Sequence, residues 1–208
     1  MTKSGAVSAR LVPATGSGQR SPEEDDTFLL RRIAAGDGDA FENLYRRYYK
    51  RVFGFVLRMT SRMELAEEVV DDTMLTVWRR AADFRGASRP STWIFGIAYR
   101  KALKAAMRTG AGQNAVELDE TNHEPVSSGV EAMILRDQIA KALDRLPTKE
   151  RAIVELTYLH GYKYTEIAEI ADCPVGTVKT RMRSARAKLR QILTGFAKHE
   201  EGRGDDDG

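Results

Sequence analysis

The segment from Pro174 to Leu193, PVGTVKTRMRSARAKLRQIL, contains six basic residues and no acidic residue. Most surface helices interleave charges of both signs, so a segment with only one sign indicates a partner of the opposite sign. A lysine or arginine beside a DNA phosphate releases counterions, whereas an aspartate or glutamate there is repelled. Serine and threonine side chains of the same segment can reach base edges. The segment therefore predicts contact with duplex nucleic acid.

If this segment is helical, successive residues lie about 100° apart and two faces separate. One face holds the apolar residues that we expect to be buried, Val175, Val178, Met182, Ala185, Leu189 and Ile192. A basic row flanks this face and consists of Lys179, Arg183, Arg186 and Arg190. The spacing predicts a helix that packs on its own protein with one side and binds DNA with the other.

The residues before this helix, YTEIAEIADCPVGT, predict a short helix from Thr165 to Ala171 and a tight turn from Asp172 to Pro174. This is the sequence pattern of a helix-turn-helix, whose second helix enters the major groove. An ordinary helical hairpin with a solvated, charged face is the alternative. The run of basic residues favours DNA binding.

A second stretch, DFRGASRPSTWIFGIAYRKALKAAMR, interleaves aromatic and basic residues. Aromatic rings stack on unpaired bases while cations hold the backbone, so this mixture suits single-stranded DNA. The alternative is that the rings belong to the core and the basic residues form a solvated face. We expect Phe95 and Ile97 in the core, and for Trp93 both interpretations remain open.

Acidic residues crowd the first half of the helix before that stretch, at Glu64, Glu67, Glu68, Asp71 and Asp72. The helix dipole favours acids in the first turn, but the last three lie too far along the helix for that effect alone. An acidic helix in a chain that binds DNA elsewhere suggests a basic protein partner.

The elements that position these residues are helical by pattern, because no segment of the 208 residues shows sustained strand-like alternation. We predict an all-α fold of two small helical domains joined by a flexible linker. The first domain is a four-helix unit over residues 25–108, and the second covers residues 130–195 and ends in the helix-turn-helix. Residues 109–129 lose helical periodicity and are rich in Gly, Asn, Glu and Ser, which is typical of a linker.

Two tails and two helix caps complete this prediction. Residues 1–24 and the acidic segment 196–208 are expected to be disordered, because they combine small, polar and charged residues. A capping box needs a Ser, Thr, Asp or Asn three residues before a glutamate or glutamine. This pattern predicts helix caps at Asp39 and Ser61.

The residue inventory excludes several classes of function. The single cysteine, Cys173, rules out a disulfide framework and suits a reducing cytoplasm. The three histidines are far apart in sequence, so neither a metal site nor a cofactor is expected. No phosphate-binding glycine loop and no nucleophile–base set is present, so we predict no catalytic residue and no enzymatic activity. Without a membrane-spanning apolar run or a secretory signal, a cytoplasmic location is expected.

Two stretches of the chain carry a resemblance to a known family. The stretch AEEVVDDTMLTVWRRAADFRGASRPSTWIFGIAYRKAL resembles region 2 of bacterial sigma factors of the extracytoplasmic-function (ECF) subfamily. The stretch LPTKERAIVELTYLHGYKYTEIAEIADCPVGTVKTRMRSARAKLR resembles region 4 of the same subfamily. The two motifs stand in the order typical of the family, without a region 3 domain between them.

The resemblance implies an alternative sigma factor, which binds core RNA polymerase, directs it to specific promoters and helps to open them. In this family an acidic region 2 helix binds the largest catalytic subunit, which implies this role for Glu68, Asp71, Asp72, Leu75 and Trp78. The following loop and helix capture unpaired bases of the −10 element, which implies roles for Arg85, Ser88, Arg89, Ser91, Thr92, Trp93, Tyr99, Arg100, Lys101 and Lys104. The region 4 helix-turn-helix reads the −35 element as a duplex, which implies roles for Thr165, Val175, Gly176, Thr177, Lys179, Thr180, Arg181, Arg183 and Arg186.

The chain departs from the family pattern in its −10 helix. Where the family often has Ala-Arg-Asn, this chain has Ala98, Tyr99 and Arg100, and it has Lys104 where the family often has an acid. Family members are usually held by an anti-sigma factor, often in the membrane. The resemblance therefore implies such a partner, which would hold this chain at the inner membrane.

Three other classes of protein share parts of this pattern. A one-component transcriptional regulator also carries a helix-turn-helix, but residues 25–108 show no ligand-pocket or phosphoacceptor pattern. An anti-sigma-type or scaffold protein would use the acidic helix and leave the basic helices without a role. A DNA-processing enzyme would need carboxylates that converge on a metal, whereas the acids here lie along one helix. The regulator, acting without core polymerase, is the nearest alternative.

Overall fold

The computed structural model describes residues 21–109 and 130–201, and within these ranges every regular element is helical. The α-helices are α1 Pro22–Ala34, α2 Gly38–Thr60, α3 Met63–Arg80, α4 Pro90–Thr109, α5 Val130–Asp144, α6 Thr148–Tyr158, α7 Tyr164–Ile170 and α8 Val175–Glu201. A short 3₁₀ turn, Ala81–Asp83, follows α3. The prediction of an all-α fold is confirmed. None of the described helices is apolar over enough of its length to cross a membrane.

Helices α1–α4 form the first unit around α2, its longest helix. One face of α2 is buried and includes Leu44, Tyr48 and Phe55. The buried Asp26 of α1 accepts hydrogen bonds from Arg47 at 2.5 Å and from Tyr48 at 2.6 Å. A buried carboxylate is costly unless it is paired, so these bonds fix α1 on α2.

Two predicted caps of the first unit were wrong. Asp37, not Asp39, caps α2, because its carboxylate accepts from the Ala40 amide at 3.0 Å after the chain turns at Gly36 (φ 87°). Ser61 ends α2 instead of starting α3, and it adopts the left-handed conformation with φ 53°. Helical structure also begins within the segment expected to be a tail, because Ser21 and Glu24 form a capping box at the start of α1.

Helices α5–α8 form the second unit, in which α7, a tight turn and α8 make the predicted helix-turn-helix. Asp172 takes a left-handed conformation (φ 46°) in that turn. On α8, Val178, Met182 and Ala185 are buried as predicted, and the other three residues of the apolar stripe are half-buried. The helix continues to Glu201, so residues 196–201 are helical rather than disordered. The rest of the predicted tails and linker, residues 1–20, 110–129 and 202–208, lies outside the described residues.

The two units pack against each other, a contact that was not predicted from the sequence. The main contact joins α4 to α7, and a single cluster of buried side chains runs through both units. The Phe95 ring of α4 lies 4.8 Å from the His160 ring and 5.4 Å from the Tyr162 ring. All six residues 94–99 of α4 are buried. A helix buried on every side needs neighbours on every side, and the second unit supplies one of them.

Candidate functional site

The predicted polymerase-binding residues lie together on one exposed face of α3. The side chains of Glu68 and Asp72 are 63% and 60% exposed, and Leu75, about one turn after Asp72, is 42% exposed. Asp72 lies 3.3 Å from Lys101, and Glu68 lies 3.9 Å from Arg108. Both acids therefore lie on the edge of the exposed face that borders α4. The opposite face of α3 packs into the core. The outer face therefore presents acids next to an exposed leucine, which suits a partner that is both basic and apolar.

An aromatic row on α2 borders this acidic face. The Trp78 ring of α3 meets the Phe41 ring edge-on at 5.2 Å, and Tyr45 stacks on Tyr49 at 5.5 Å. The Tyr45 hydroxyl donates a hydrogen bond to Asp71 at 3.1 Å. Burial and this hydrogen bond raise the pKa of Tyr45 to about 12. The phenol therefore stays protonated and holds the Asp71 carboxylate in place.

The predicted duplex-binding residues form a basic surface on α8. Lys179, Arg183, Arg186 and Arg190 line one open groove of about 450 Å³. The Arg186 guanidinium donates to the Tyr158 hydroxyl at 2.7 Å, which holds this member of the row in place. Thr165, Gly176 and Thr180 are exposed beside it, whereas Val175 and Thr177 are half-buried. The structure thus brings most of the predicted −35 residues to one side of the helix-turn-helix.

Lys188 of α8 lies outside this row. Its ammonium group lies 2.8 Å from both carboxylate oxygens of Glu150. Glu150 also accepts a hydrogen bond from Ser184 at 3.1 Å. These contacts join α6 to α8. Lys188 therefore has a structural partner and serves below as a control for the exposed row.

Only part of the predicted −10 set is exposed. Arg85, Arg100 and Lys104 face solvent, and the Trp93 ring is half-buried at 5.5 Å from the ring of Phe84. Ser88, Ser91 and Lys101 are half-buried. Thr92 and Tyr99 are only 2% and 3% exposed. Arg89 is bridged by two carboxylates, Glu23 at 3.0 Å and Glu166 at 3.2 Å.

Tyr99 is buried where α4 meets the second unit. Arg181 of α8 lies close enough to Tyr99 to influence its hydroxyl, and an Nη atom of the same guanidinium lies 3.8 Å from the Cys173 sulfur. Burial raises the pKa of Tyr99, and Arg181 partly opposes this effect. Tyr99 and Arg181 belong to the predicted −10 and −35 sets, so in this arrangement the two sets contact each other.

Sequence reasoning missed a cluster of buried charges between the units. Glu155 of α6 is fully buried, and one carboxylate oxygen lies 2.9 Å from the Arg58 side chain of α2. Arg151, one turn before Glu155, is 3% exposed and forms an ion pair with Asp144. Neither carboxylate oxygen of Glu155 has a well-aligned hydrogen bond among the described residues. The i, i+4 spacing of Arg151 and Glu155 was the one available signal, but the same spacing is common on solvated helices.

Burial shifts the pKa values of two groups at this junction. Desolvation raises the pKa of Glu155 to about 7 from an ordinary value of 4.5, although Arg58 and Arg151 oppose the shift. Desolvation lowers the pKa of His160 to about 4 from 6.5, and Arg58 and Arg51 add to that effect. His160 is therefore neutral at physiological pH, whereas Glu155 titrates close to it.

We expect the stability contributed by Glu155 to fall as the pH rises. Its pKa is higher in the folded than in the unfolded state, so the folded protein binds more protons between pH 4.5 and 7. The free energy of unfolding of the wild type should therefore drop across that window relative to the Glu155→Gln variant, and level off above it. Urea unfolding of both proteins from pH 5 to 8 measures the difference. His160 is common to both and cancels, and a difference that is constant with pH would contradict the assignment.

Comparison with known proteins identifies two sigma-factor regions in this chain, region 2 followed by region 4. The family model "Sigma-70 region 2" matches residues 44–111, and "Sigma-70, region 4" matches residues 136–189. The ECF RNA polymerase sigma factor SigM of Mycobacterium tuberculosis is 34% identical over 182 residues, which covers 87% of this chain and 90% of SigM. The chain belongs to the ECF sigma factors. SigK of the same species is 32% identical over 171 residues, 79% of this chain and 91% of SigK.

Solved structures of similar proteins have the same fold. CnrH, solved with the cytosolic domain of CnrY, superimposes with a TM-score of 0.61 at 23% identity over 82% of this chain and 98% of CnrH. The sigma factor RpoE of Bartonella quintana, solved with the anti-sigma factor NepR, has a TM-score of 0.57 at 25% identity over 74% of this chain and 96% of RpoE. This ECF sigma factor is thus an alternative sigma factor that directs RNA polymerase to promoters. Members of its family are non-catalytic initiation factors.

Proposed function

We propose that this sigma factor divides its work between two units, region 2 over residues 25–108 and region 4 over residues 130–195. The observation that carries the proposal is the separation of charge: an exposed acidic face on α3 and a basic groove on α8 lie on different units. Opposite charges suit different partners. We assign the acidic face to core RNA polymerase and the basic surfaces to promoter DNA.

The acidic face contacts polymerase through Glu68, Asp71 and Asp72, and Leu75 and Trp78 supply apolar contact. The exposed leucine supports this assignment, since interface cores are depleted in charge and enriched in apolar side chains. The −10 set, from Arg85 to Lys104, captures unpaired bases with Trp93 as the stacking residue. Its basic members hold the backbone of the displaced strand.

The basic row of α8 holds the duplex at the −35 element. Lys179, Arg183 and Arg186 bind phosphates, while the exposed Thr180 and the helix start at Gly176 approach the bases. The protein does no bond chemistry itself. An anti-sigma factor binds it in the cytoplasm or holds it at the inner membrane. The complex of the related RpoE with an anti-sigma factor supports such a partner.

Replacing Arg183 with alanine tests the duplex-binding row. Each phosphate contact contributes about one unit to the slope of log affinity against log salt. We expect Arg183→Ala to weaken binding of a mixed-sequence duplex by about three- to tenfold and to reduce the salt slope by about one. Fluorescence anisotropy over a salt series measures both quantities.

The matched control for this measurement is Lys188→Ala. Lys188 lies on the same helix but is held by Glu150, so its removal should change neither duplex affinity nor salt slope. Equal losses from both variants would show that binding follows net charge alone. That result would contradict the assignment of the basic row to duplex binding.

A further inference from the structure

An exposed tyrosine at the end of α6 contacts the basic row of α8. Tyr158, the last residue of α6, is 61% exposed. Its hydroxyl accepts a hydrogen bond of 2.7 Å from Arg186, and the guanidinium carbon of the same arginine lies 6.0 Å from the centre of its ring. A single side chain therefore holds Arg186 through a hydrogen bond and a cation–π contact. The function proposed above does not use this tyrosine.

The contact with Tyr158 distinguishes Arg186 from its neighbours in the basic row. The side chains of Lys179 and Arg183 line the same groove, but they form no hydrogen bond or ion pair within the part of the chain that the structure describes. A long, mobile side chain loses rotamer entropy when it binds a ligand. Arg186 has lost part of that entropy already, so its guanidinium is preorganised at the groove.

A purely structural link between α6 and α8 is the alternative role of this pair. Both side chains are exposed, and a hydrogen bond between exposed groups contributes little to folding because water satisfies them equally well. The two helices are already joined at the other end of α6 by Lys188 and Glu150. The exposure of Tyr158 and Arg186 also leaves both polar groups open to a ligand.

The hydrogen-bonding capacity of the pair matches a phosphate group. A guanidinium has five N–H donors in a planar fork, and its bond to Tyr158 uses one of them. A phenol hydroxyl that accepts a hydrogen bond keeps its own hydrogen to donate, and the bond from a cation strengthens it as a donor. Several N–H groups and one O–H group are thus available for the oxygens of one phosphate, which form strong bonds with charged donors.

We propose that Tyr158 and Arg186 together bind one backbone phosphate of duplex DNA. Arg186 supplies the charge, and Tyr158 positions the guanidinium and donates a second hydrogen bond to the same phosphate. The proposal deepens the duplex-binding function proposed for the basic row and rests on it. It extends the duplex-binding surface from α8 to the end of α6.

A double-mutant cycle in the full-length chain tests the pair. The affinity for a mixed-sequence duplex is measured by fluorescence anisotropy from about 50 to about 200 mM salt. Tyr158→Phe keeps the ring and removes only the hydroxyl. We expect it to weaken binding about fivefold, and equally at every salt concentration, because a neutral donor displaces no counterion. Arg186→Ala should weaken binding about tenfold and lower the salt slope by about one.

The decisive quantity is the effect of Tyr158→Phe in the Arg186→Ala background. We expect a further loss of less than about twofold there, because groups that bind one phosphate as a unit do not act additively. Tyr49→Phe is the matched control, since it makes the same chemical change on α2, where the ring stacks on Tyr45 and Phe53. Its duplex affinity should stay within about twofold of the wild type.

Two results would overturn the proposal. Unchanged affinity of Tyr158→Phe would show that the hydroxyl takes no part in binding. An equal loss with and without Arg186 would show that the hydroxyl acts apart from the guanidinium, as a purely structural role predicts. Arg183→Ala separates these failures from failure of the proposed function. If it weakens duplex binding while Tyr158→Phe does not, only the pair is wrong, whereas no effect of Arg183→Ala or Arg186→Ala would contradict the whole basic row.

Discussion

Charge reversal at Glu68, Asp71 and Asp72 lowers the affinity of this sigma factor for core RNA polymerase by at least about 100-fold. The three acids lie on one exposed face with Leu75 one turn further along the helix, and each lysine introduced there repels a basic partner. Like charges placed across an interface cost several kcal/mol, and about 1.4 kcal/mol is a factor of ten. Titration of fluorescently labelled core with the triple variant measures the loss.

The control for this variant is Asp137→Lys on α5. Asp137 is 50% exposed in an i, i+4 pair with Lys141, so its reversal changes the net charge at a different surface. We expect its affinity for core to stay within about threefold of the wild type. An unaffected triple variant, or an equal loss in the control, would contradict the assignment of the acidic face.

Arg151→Met lowers the free energy of unfolding by about 3–5 kcal/mol, the usual cost of breaking a buried ion pair. Arg151 is 3% exposed and pairs with Asp144, whose pKa is already raised by burial. It also lies beside Glu155. In the variant, Glu155 would lose this cationic neighbour and keep Arg58. The variant leaves two carboxyl groups short of a partner inside the protein. Urea denaturation monitored by circular dichroism gives the value.

Arg46→Met is the matched control for the buried arginine. Arg46 pairs with Glu42 on the surface of α2, with 73% and 60% of the two side chains exposed. Exposed pairs contribute little, so we expect a change within about 0.5 kcal/mol. If Arg151→Met lowered the free energy of unfolding no more than Arg46→Met, the buried ion pair would contribute no more to stability than an exposed one.

The helices and the helix-turn-helix were predictable because their signals are local. Helical spacing placed both ends of α7 within one residue, and the stripe on α8 identified Val178, Met182 and Ala185 as buried. Caps were less secure, because several acids stand close together before α2. Asp37 and Asp39 are equally good caps by type, and only the turn at Gly36 decides between them.

The contact between the units was not predictable from periodicity. A helical pattern shows which face of a helix is buried but not which neighbour covers it. Six consecutive buried residues on α4 include Phe95, which was predicted to be in the core, and Tyr99, which was predicted to bind DNA. Arg58, Arg151 and Glu155 look like ordinary surface charges until α2 and α6 are brought together. The binding of polymerase and duplex DNA stays a prediction, and the structure places the residues predicted for each on a common surface of α3 and of α8.

Run-off transcription tests the central claim most directly. The full-length protein is added to sigma-free bacterial core polymerase and sheared DNA from the source organism, and the 5′ ends of the transcripts are sequenced. We predict discrete starts, each preceded by a shared two-part motif, and none of them with core alone. Starts identical to those of core alone, together with failure of the protein to co-elute with core, would contradict the account.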